Sequence, residues 1–356
     1  MKMTFRWYGE NDPISLKYIS HIPMMDGIVS AVYDVAPGKA WSDESINRIK
    51  EQASVNSLTF EVVESVPVHE DIKLGKKTRA DYIEVYKENI RRLGKAGVKV
   101  ICYNFMPVFD WLRSELDHTN ADGSTSLIYR QGQVLNMNPK TGNLSLPGWD
   151  ASYTKEGLVS LLDEYKKVDD ETLFGNLKYF LDAIIPVCAE YNVKMAIHPD
   201  DPPWDIFGLP RIITDEKNLD RFVSLNNSVY NGLTLCTGSL GALKSNDIPR
   251  LLRKYGKMGR IHFVHARNIK HFGEHDFNET AHPSKYGSLD MYEIMKALFD
   301  IGFDGYIRPD HGRMIWGESG KPGYGLYDRA LGAVYLSGLW EAIEKSSDKK
   351  PNIDRI

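Results

Sequence analysis

The sequence predicts an α/β fold, a (β/α)8 TIM barrel with a long insertion after its fourth strand. Strand-like and helix-like stretches alternate along most of the 356 residues, and eight strand-like segments can be counted. Amphipathic stretches of crossover-helix length separate most of them. The eight predicted strands are residues 4–7, 28–33, 58–63, 98–103, 193–198, 233–236, 260–265 and 305–308.

A doubly wound open sheet is the competing fold for such an alternation. Its nucleotide-binding form carries GxGxxG directly after a strand, where a helix begins. The chain has no such motif after a predicted strand, and Gly323-Tyr324-Gly325 lacks the third glycine. The barrel is therefore the preferred fold.

The crossover helices are indicated by capping residues and by apolar spacing. Ser42 precedes Asp43 and Glu44 and can accept a free N–H at the start of a helix that contains Ile46 and Ile49. A second helix is predicted over residues 78–93, with apolar side chains on one face. Further helices are predicted at residues 173–188, 217–225, 246–255, 289–300 and 326–344.

The insertion, residues 110–170, interrupts the alternation with a polar stretch rich in turn signals. It follows the fourth predicted strand and so leaves from the face that carries barrel active sites. A lid, a dimer arm and a passive surface insertion all fit this position. We expect residues 1–345 to form one barrel domain that includes the insertion, followed by a charged tail at 346–356.

Composition excludes several classes of protein. The net charge is −4, so no basic excess points to nucleic acid. No apolar run approaches the roughly 18 residues that a membrane helix needs. The three cysteines are too few for a disulfide scaffold, and the N-terminal segment lacks the apolar core of a signal peptide. A cytoplasmic protein without a membrane partner is the expectation.

Four polar side chains stand where the last four predicted strands end. They are His198, Cys236, His265 and Asp310, and each group is a ligand that divalent transition metals accept. The carboxyl ends of parallel strands meet at one end of a barrel, so the four groups should converge. Because they are far apart in sequence, an open catalytic site is preferred to a closed structural zinc site.

Two further residues can move protons beside that site. His311 follows the last ligand directly, and an imidazole exchanges protons near neutral pH. Tyr324 lies between two glycines, which leaves its ring free to swing over a cavity. The simpler interpretation of Tyr324, a loop aromatic packed on the barrel rim, stays open.

Substrate contacts are expected from polar side chains that follow other strands. Arg6 and Trp7 end the first predicted strand, and Arg267 and Asn268 follow His265, so they could hold the carboxylate and hydroxyls of a small anion. Glu64 and Asn104 could hydrogen-bond a polyol, as could His69 and Asp110. His262 is left out because strand alternation turns it to the opposite face from His265. The histidines at 271, 275 and 282 are expected to be solvated loop residues.

Several segments together resemble the D-mannonate dehydratase family. They are MTFRWYG at 3–9 with Asp12-Pro13, IHPDDPP at 197–203, LCTGS at 235–239, HARN at 265–268, RPDHG at 308–312 and PGYGLYDRA at 322–330. The resemblance spans essentially the whole chain.

This resemblance implies a xylose-isomerase-like barrel and a Mn(II)- or Fe(II)-dependent lyase. Its reaction is dehydration of D-mannonate to 2-keto-3-deoxy-D-gluconate, a step of hexuronate and glucuronate breakdown. The resemblance also implies His198, Cys236, His265 and Asp310 as metal ligands, and a homodimer or higher oligomer. One of His311 and Tyr324 would remove the C2 proton and the other would protonate the leaving C3 hydroxyl; the sequence leaves the order open.

Three other functions also fit the same barrel. A metal-dependent sugar or sugar-acid isomerase or epimerase would use similar ligands on similar substrates. A DNA-repair endonuclease is disfavoured by the acidic balance of the chain. A binding protein without turnover is the third.

Overall fold

The computed structural model describes residues 1–140 and 155–347 of the chain. Its strands, in chain order, are β1 Lys2–Arg6, β2 Met25–Ser30, β3 Thr59–Glu64, β4 Val100–Tyr103, β5 Glu115–Thr119, β6 Thr125–Tyr129, β7 Lys194–Ile197, β8 Asn231–Cys236, β9 Ile261–Ala266, β10 Ile269–His271, β11 Phe277–Glu279 and β12 Tyr306–Pro309.

Eight of these strands close into a barrel in the order β1-β12-β9-β8-β7-β4-β3-β2. Every neighbouring pair in the ring is parallel. The predicted (β/α)8 barrel is therefore confirmed for the described part of the chain, and each predicted barrel strand has a counterpart. β2 begins and ends three residues earlier than predicted, because the backbone leaves the sheet after Ser30, whose hydroxyl donates to the Trp7 carbonyl.

The helices are α1 Leu16–Ser20, α2 Asp43–Val55, α3 Glu70–Lys73, α4 Arg79–Ala96, α5 Gln131–Leu135, α6 Lys155–Tyr165, α7 Asp170–Tyr191, α8 Glu216–Leu225, α9 Thr237–Gly241, α10 Ile248–Lys257, α11 Met291–Asp300 and α12 Tyr327–Ser346, with a short 3-10 turn at Ser284–Tyr286. The six predicted crossover helices correspond to α4, α7, α8, α10, α11 and α12, and the Ser42 side chain caps α2 as expected.

The barrel strands are buried on both faces, so the barrel has two groups of core side chains, and a third group lies under the insertion and the loops that it contacts. The larger part lies between the strands and the surrounding helices, with side chains such as Phe5, Ile101 and Leu235 that are fully buried. The smaller part is a group of seven residues that includes Val29, Val62 and Phe263. His265, two residues after Phe263 on β9, shares its face of the strand.

The predicted polar insertion contains regular structure of its own. β5 and β6 form an antiparallel pair, and β6 continues through β11 to β10, both of which follow the seventh barrel strand. The insertion is thereby joined to a second loop of the barrel through a four-stranded sheet. Of the turn signals in the insertion, residues 136–142 lie partly and Pro147-Gly148 wholly outside the described residues, as does most of the predicted tail at 346–356.

All three histidines that were expected to be solvated loop residues make contacts within the fold. His282 is buried, and His271 Nε2 lies 2.8 Å from the Gly241 carbonyl oxygen. His275 packs against the Trp204 ring, with 4.4 Å between ring centroids. Their loop was misjudged because β10 and β11 pair within it. In the described ranges, no helix is both long and apolar enough to cross a membrane.

Candidate metal centre

The four predicted ligands meet at the carboxyl end of the barrel. Ligand atoms of His198, Cys236 and His265 all lie within 4.8 Å of one another. Asp310 Oδ2 lies 3.6 Å from Cys236 Sγ and 3.8 Å from His265 Nδ1. The strand register explains this convergence, since Cys236 on β8 is directly opposite His265 on β9.

Hydrogen bonds from neighbouring groups orient the side chains of His198 and Cys236. The Nδ1 of His198 lies 2.7 Å from the Pro199 carbonyl oxygen, which favours protonation of Nδ1 and leaves Nε2 as a ligand. That Nε2 lies 3.1 Å from His265 Nδ1. The backbone N–H and the hydroxyl of Ser239 both donate to Cys236 Sγ, at 3.4 and 3.0 Å. The donor set of two imidazoles, a thiol and a carboxylate fits a divalent transition metal.

Asp310 is held as an anion by two arginines. Its Oδ1 accepts from Arg308 at 2.7 Å and its Oδ2 accepts from Arg267 Nε at 2.9 Å. Burial alone would raise the pKa of this carboxyl, but Arg308 and the other cationic neighbours hold it well below its usual range. A permanently ionised carboxylate is the form that ligates metals.

A second group of potential ligands, Glu64, Cys102 and His265, lies in the same barrel. Glu64 is already paired with Arg6 at 3.0 Å and with Arg308 at 3.1 Å. Burial also raises the pKa of the Cys102 thiol well above its usual value, which disfavours the thiolate that a metal binds. Glu64 also lies 3.4 Å from His265 Nε2, where it can orient that imidazole.

A cavity of about 1090 Å³ opens beside the metal site. Among the predicted residues, it is lined by Arg6, Glu64, His69, Asn104, Asp110, His198, Asp310, His311 and Tyr324. His311 and Tyr324 are close to each other, with 5.4 Å between ring centroids at an edge-on angle. Helix α6 of the insertion contributes Leu161 and Glu164 to the wall, so the insertion covers part of the cavity.

Three predicted substrate contacts do not reach this cavity. Trp7 is packed in the core. Asn268 is fully buried, donates to the His282 carbonyl and accepts from the Leu289 N–H. Arg267 is also fully buried, and its guanidinium is bonded to Asp201, Glu279 and Asp310. The structure does not bring these three side chains to the cavity, because adjacency to a strand end does not give the direction of a side chain.

Arg267 instead binds the carboxylate of the predicted ligand Asp310 and helps to hold it in place. Gly238, in the short helix after Cys236, makes room for it: a Cβ there would lie 2.4 Å from the Arg267 guanidinium carbon. A glycine is required at this close approach. Arg308, two residues before Asp310, lies between Glu64 and Asp310 and lines the cavity.

Sequence reasoning missed a buried ionic cluster beside His311. It comprises Arg113 and Asp201, joined by two bonds of 2.8 and 2.9 Å, together with Glu279 and Arg267. Trp111 stacks on the His311 ring at 5.5 Å between centroids. Asp201 belongs to a segment that the sequence had singled out, whereas no local pattern marks Trp111, Arg113 or Glu279.

Asp110, on the cavity wall, gives a test of the local electrostatics. Burial raises the pKa of its carboxyl to about 6, more than Lys73 and Asn104 lower it. The folded state therefore disfavours the charged form, and this penalty grows as pH rises from about 4 through 6. We expect Asp110→Asn to gain thermal stability relative to wild type between about pH 5 and pH 7.5, because the asparagine carries no charge.

Asp163→Asn is the matched control for that measurement. Lys140 and Lys166 lower the pKa of Asp163 to about 2, so its charge is constant across the same interval. The difference in melting temperature from wild type should then change with pH for Asp110→Asn and stay constant for Asp163→Asn. Equal pH dependence of the two differences would contradict the assignment.

Comparison with known proteins gives concordant results. A family model described as D-mannonate dehydratase (UxuA) matches residues 1–350. The chain is 57% identical over 343 residues to mannonate dehydratase 2 of Halalkalibacterium halodurans, covering 96% of this chain and 99% of that protein. It is 55% identical over 347 residues to a mannonate dehydratase of Streptococcus agalactiae serotype III, covering 98% and 100%.

Solved structures agree with these sequence matches. The crystal structure of a mannonate dehydratase from Streptococcus suis serotype 2 is similar with a TM-score of 0.92 and 48% identity, over 99% of this chain and 97% of that one. A D-psicose 3-epimerase of Clostridium cellulolyticum H10 shares the barrel fold, with a TM-score of 0.55 and 15% identity over 96% of each chain. The latter similarity concerns the fold alone.

Proposed function

Because the chain belongs to the D-mannonate dehydratase family, we propose that its dehydration of D-mannonate depends on a divalent metal, Mn(II) or Fe(II), held by His198, Cys236, His265 and Asp310. The observation that carries this proposal is the convergence of the four groups beside a cavity that His198, Asp310, His311 and Tyr324 line. When bound, the metal would supply positive charge that stabilises the anion formed at the α carbon of a carboxylate.

The reaction removes one proton from C2 and the hydroxyl from C3 of the substrate. A base accepts the C2 proton, and an acid donates a proton to the leaving hydroxyl, which departs as water. The resulting enol becomes the 2-keto-3-deoxy acid when C3 is protonated. Two side chains on the cavity wall can serve these steps.

We assign the acid to Tyr324 and the base to His311. Burial raises the pKa of Tyr324 to about 12, so the phenol keeps its proton near neutral pH and can donate it. The His311 Nδ1 faces a carboxylate, Glu279, at 3.3 Å, an arrangement that favours a basic Nε2. Arg6, Lys321 and Arg308 line the same cavity and provide positive charge for the substrate carboxylate.

Product analysis with defined metals tests the metal-dependent dehydration. Metal-free protein is incubated anaerobically with D-mannonate, and Mn(II), Fe(II) and Zn(II) are added separately. We expect a keto acid that has lost one water, formed with manganese or iron. Turnover that is equal without any metal would contradict the metal dependence, and a product of unchanged mass would indicate an isomerase or epimerase instead.

We also propose a cellular compartment and an oligomeric state for the protein. The three cysteines are buried and unpaired, which fits a reducing compartment and supports action in the cytoplasm within hexuronate breakdown. A homodimer or higher oligomer follows from the family resemblance, and sedimentation equilibrium measures it directly.

A further inference from the structure

Glu279 contacts the imidazole of His311 although it comes from a different part of the fold. It is the last residue of β11, in the four-stranded sheet outside the barrel, and it is 1% exposed. Its Oε1 lies 3.3 Å from His311 Nδ1. His311 Nε2 points elsewhere, 3.8 Å from Oδ2 of Asp310 at the metal site.

The Glu279 carboxylate is itself fixed by two arginines. Arg267 Nη1 lies 2.6 Å from each carboxylate oxygen, and Arg113 Nη2 lies 2.7 Å from Oε1. Both arginines are fully buried and bonded to Asp201 as well. These two arginines, Asp201 and Glu279 are bonded to one another, which fixes the position of the Glu279 carboxylate. Its oxygen can therefore define the orientation of a neighbouring ring.

The other faces of the His311 ring are also contacted. Trp111 stacks on it at 26° between planes, and Tyr324 meets it edge-on. Trp111 and Arg113 both come from the segment that follows the fourth barrel strand. The insertion and the β10–β11 loop thus surround the imidazole together.

A neutral imidazole carries one N–H and one lone pair, and the partner of one nitrogen determines which is which. A carboxylate accepts hydrogen bonds only, so it selects the tautomer with a proton on Nδ1. The lone pair is then on Nε2, on the side of the metal site. This is the arrangement that a base needs.

We propose that Glu279 is a positioning residue for His311, fixing the ring and its tautomer so that Nε2 faces the substrate as a base. The inference rests on the proposed function, in which His311 accepts the C2 proton. It gives the outer sheet a role in the reaction: β11 carries the carboxylate, and the insertion supplies Arg113, one of the two arginines that fix it.

Glu279→Gln tests this role, with Asp201→Asn as the matched control. Each substitution removes one carboxylate from the same buried cluster, but His311 Nδ1 lies against Glu279. We expect Glu279→Gln to lower kcat by about 10- to 100-fold, with KM and bound metal near wild type. Asp201→Asn should lower kcat by a much smaller factor at a comparable loss of thermal stability. Equal kcat losses in the two variants, or a wild-type kcat for Glu279→Gln, would overturn the proposal.

If Glu279→Gln does not fold, a measurement of the His311 tautomer in the wild-type chain tests the proposal. The zinc-loaded protein, labelled with ¹⁵N at histidine, reports the tautomer of each ring by nitrogen chemical shift, and His311→Asn identifies the His311 signal. We expect a proton on Nδ1 of His311; a proton on Nε2 of the neutral ring would overturn the proposal.

The outcomes also separate this inference from the proposed function. If His311→Asn turns over D-mannonate at the wild-type rate, His311 is not the base and the proposed function loses that assignment. If His311→Asn is inactive while Glu279→Gln is fully active, the proposed function stands and only the role of Glu279 fails.

Discussion

Cys236→Ser should lose most of its bound metal and at least about 10³-fold in turnover, since the electrostatic contribution of a catalytic metal is several kcal/mol and each 1.4 kcal/mol is tenfold in rate. The thiol is fully buried, lies directly opposite His265 in the sheet and is 3.6 Å from Asp310 Oδ2. A serine hydroxyl stays neutral at this position and binds soft divalent metals poorly.

The other two cysteines supply controls for this substitution. Cys188 lies in α7 and packs in the core between the strands and the surrounding helices, so Cys188→Ala should keep both metal and turnover. Cys102 belongs to the second group of potential ligands, and Cys102→Ser should also retain the metal because burial raises the pKa of the Cys102 thiol and disfavours the metal-binding thiolate. Metal content is measured by mass spectrometry of the purified protein beside turnover. Metal retained at wild-type stoichiometry by Cys236→Ser would remove the thiol from the ligand set.

Tyr324→Phe and His311→Asn should each reduce dehydration by about 10² to 10⁴-fold without loss of bound metal, the range that general acid or base catalysis contributes. Both side chains line the cavity, and neither is a proposed ligand. Phenylalanine keeps the ring and the packing of Tyr324 against Tyr8, which lies 5.1 Å away between centroids, and removes only the hydroxyl.

Exchange of the C2 hydrogen with heavy water distinguishes the two roles. If His311 is the base, Tyr324→Phe still removes the C2 proton and incorporates deuterium into recovered D-mannonate, while product formation is slow. His311→Asn should show neither exchange nor product. The reverse pattern would interchange the acid and the base, and wild-type turnover in both variants would exclude the pair from the chemistry.

The sequence predicted the barrel well because its signals are local. Alternation of apolar segments and the capping serine at Ser42 depend on neighbours within a few residues. The His198, Cys236, His265 and Asp310 set was also within reach, since each residue stands at a strand end and parallel strands bring those ends together. Their metal remains a proposal.

Side-chain direction and partners from distant segments were beyond such reasoning. Arg267, Asn268 and Trp7 stand next to strand ends just as Arg6 does, yet only Arg6 reaches the cavity. The difference comes from which face of the backbone each side chain leaves and which charges it meets. Arg267 meets three carboxylates, of Asp201, Glu279 and Asp310, that are separated from it by 12 to 66 positions in the chain.

The sequence by itself therefore determined the barrel, the end of the barrel that carries the site and the residue types gathered there. Only the tertiary structure decided that Glu279 faces His311, that Arg267 supports Asp310 and that the insertion closes around them. The physical reason is the sequence separation of the interacting residues. Hydrophobic periodicity depends on residues a few positions apart, whereas the position of a buried charge depends on an opposite charge, often distant in sequence, that compensates its desolvation.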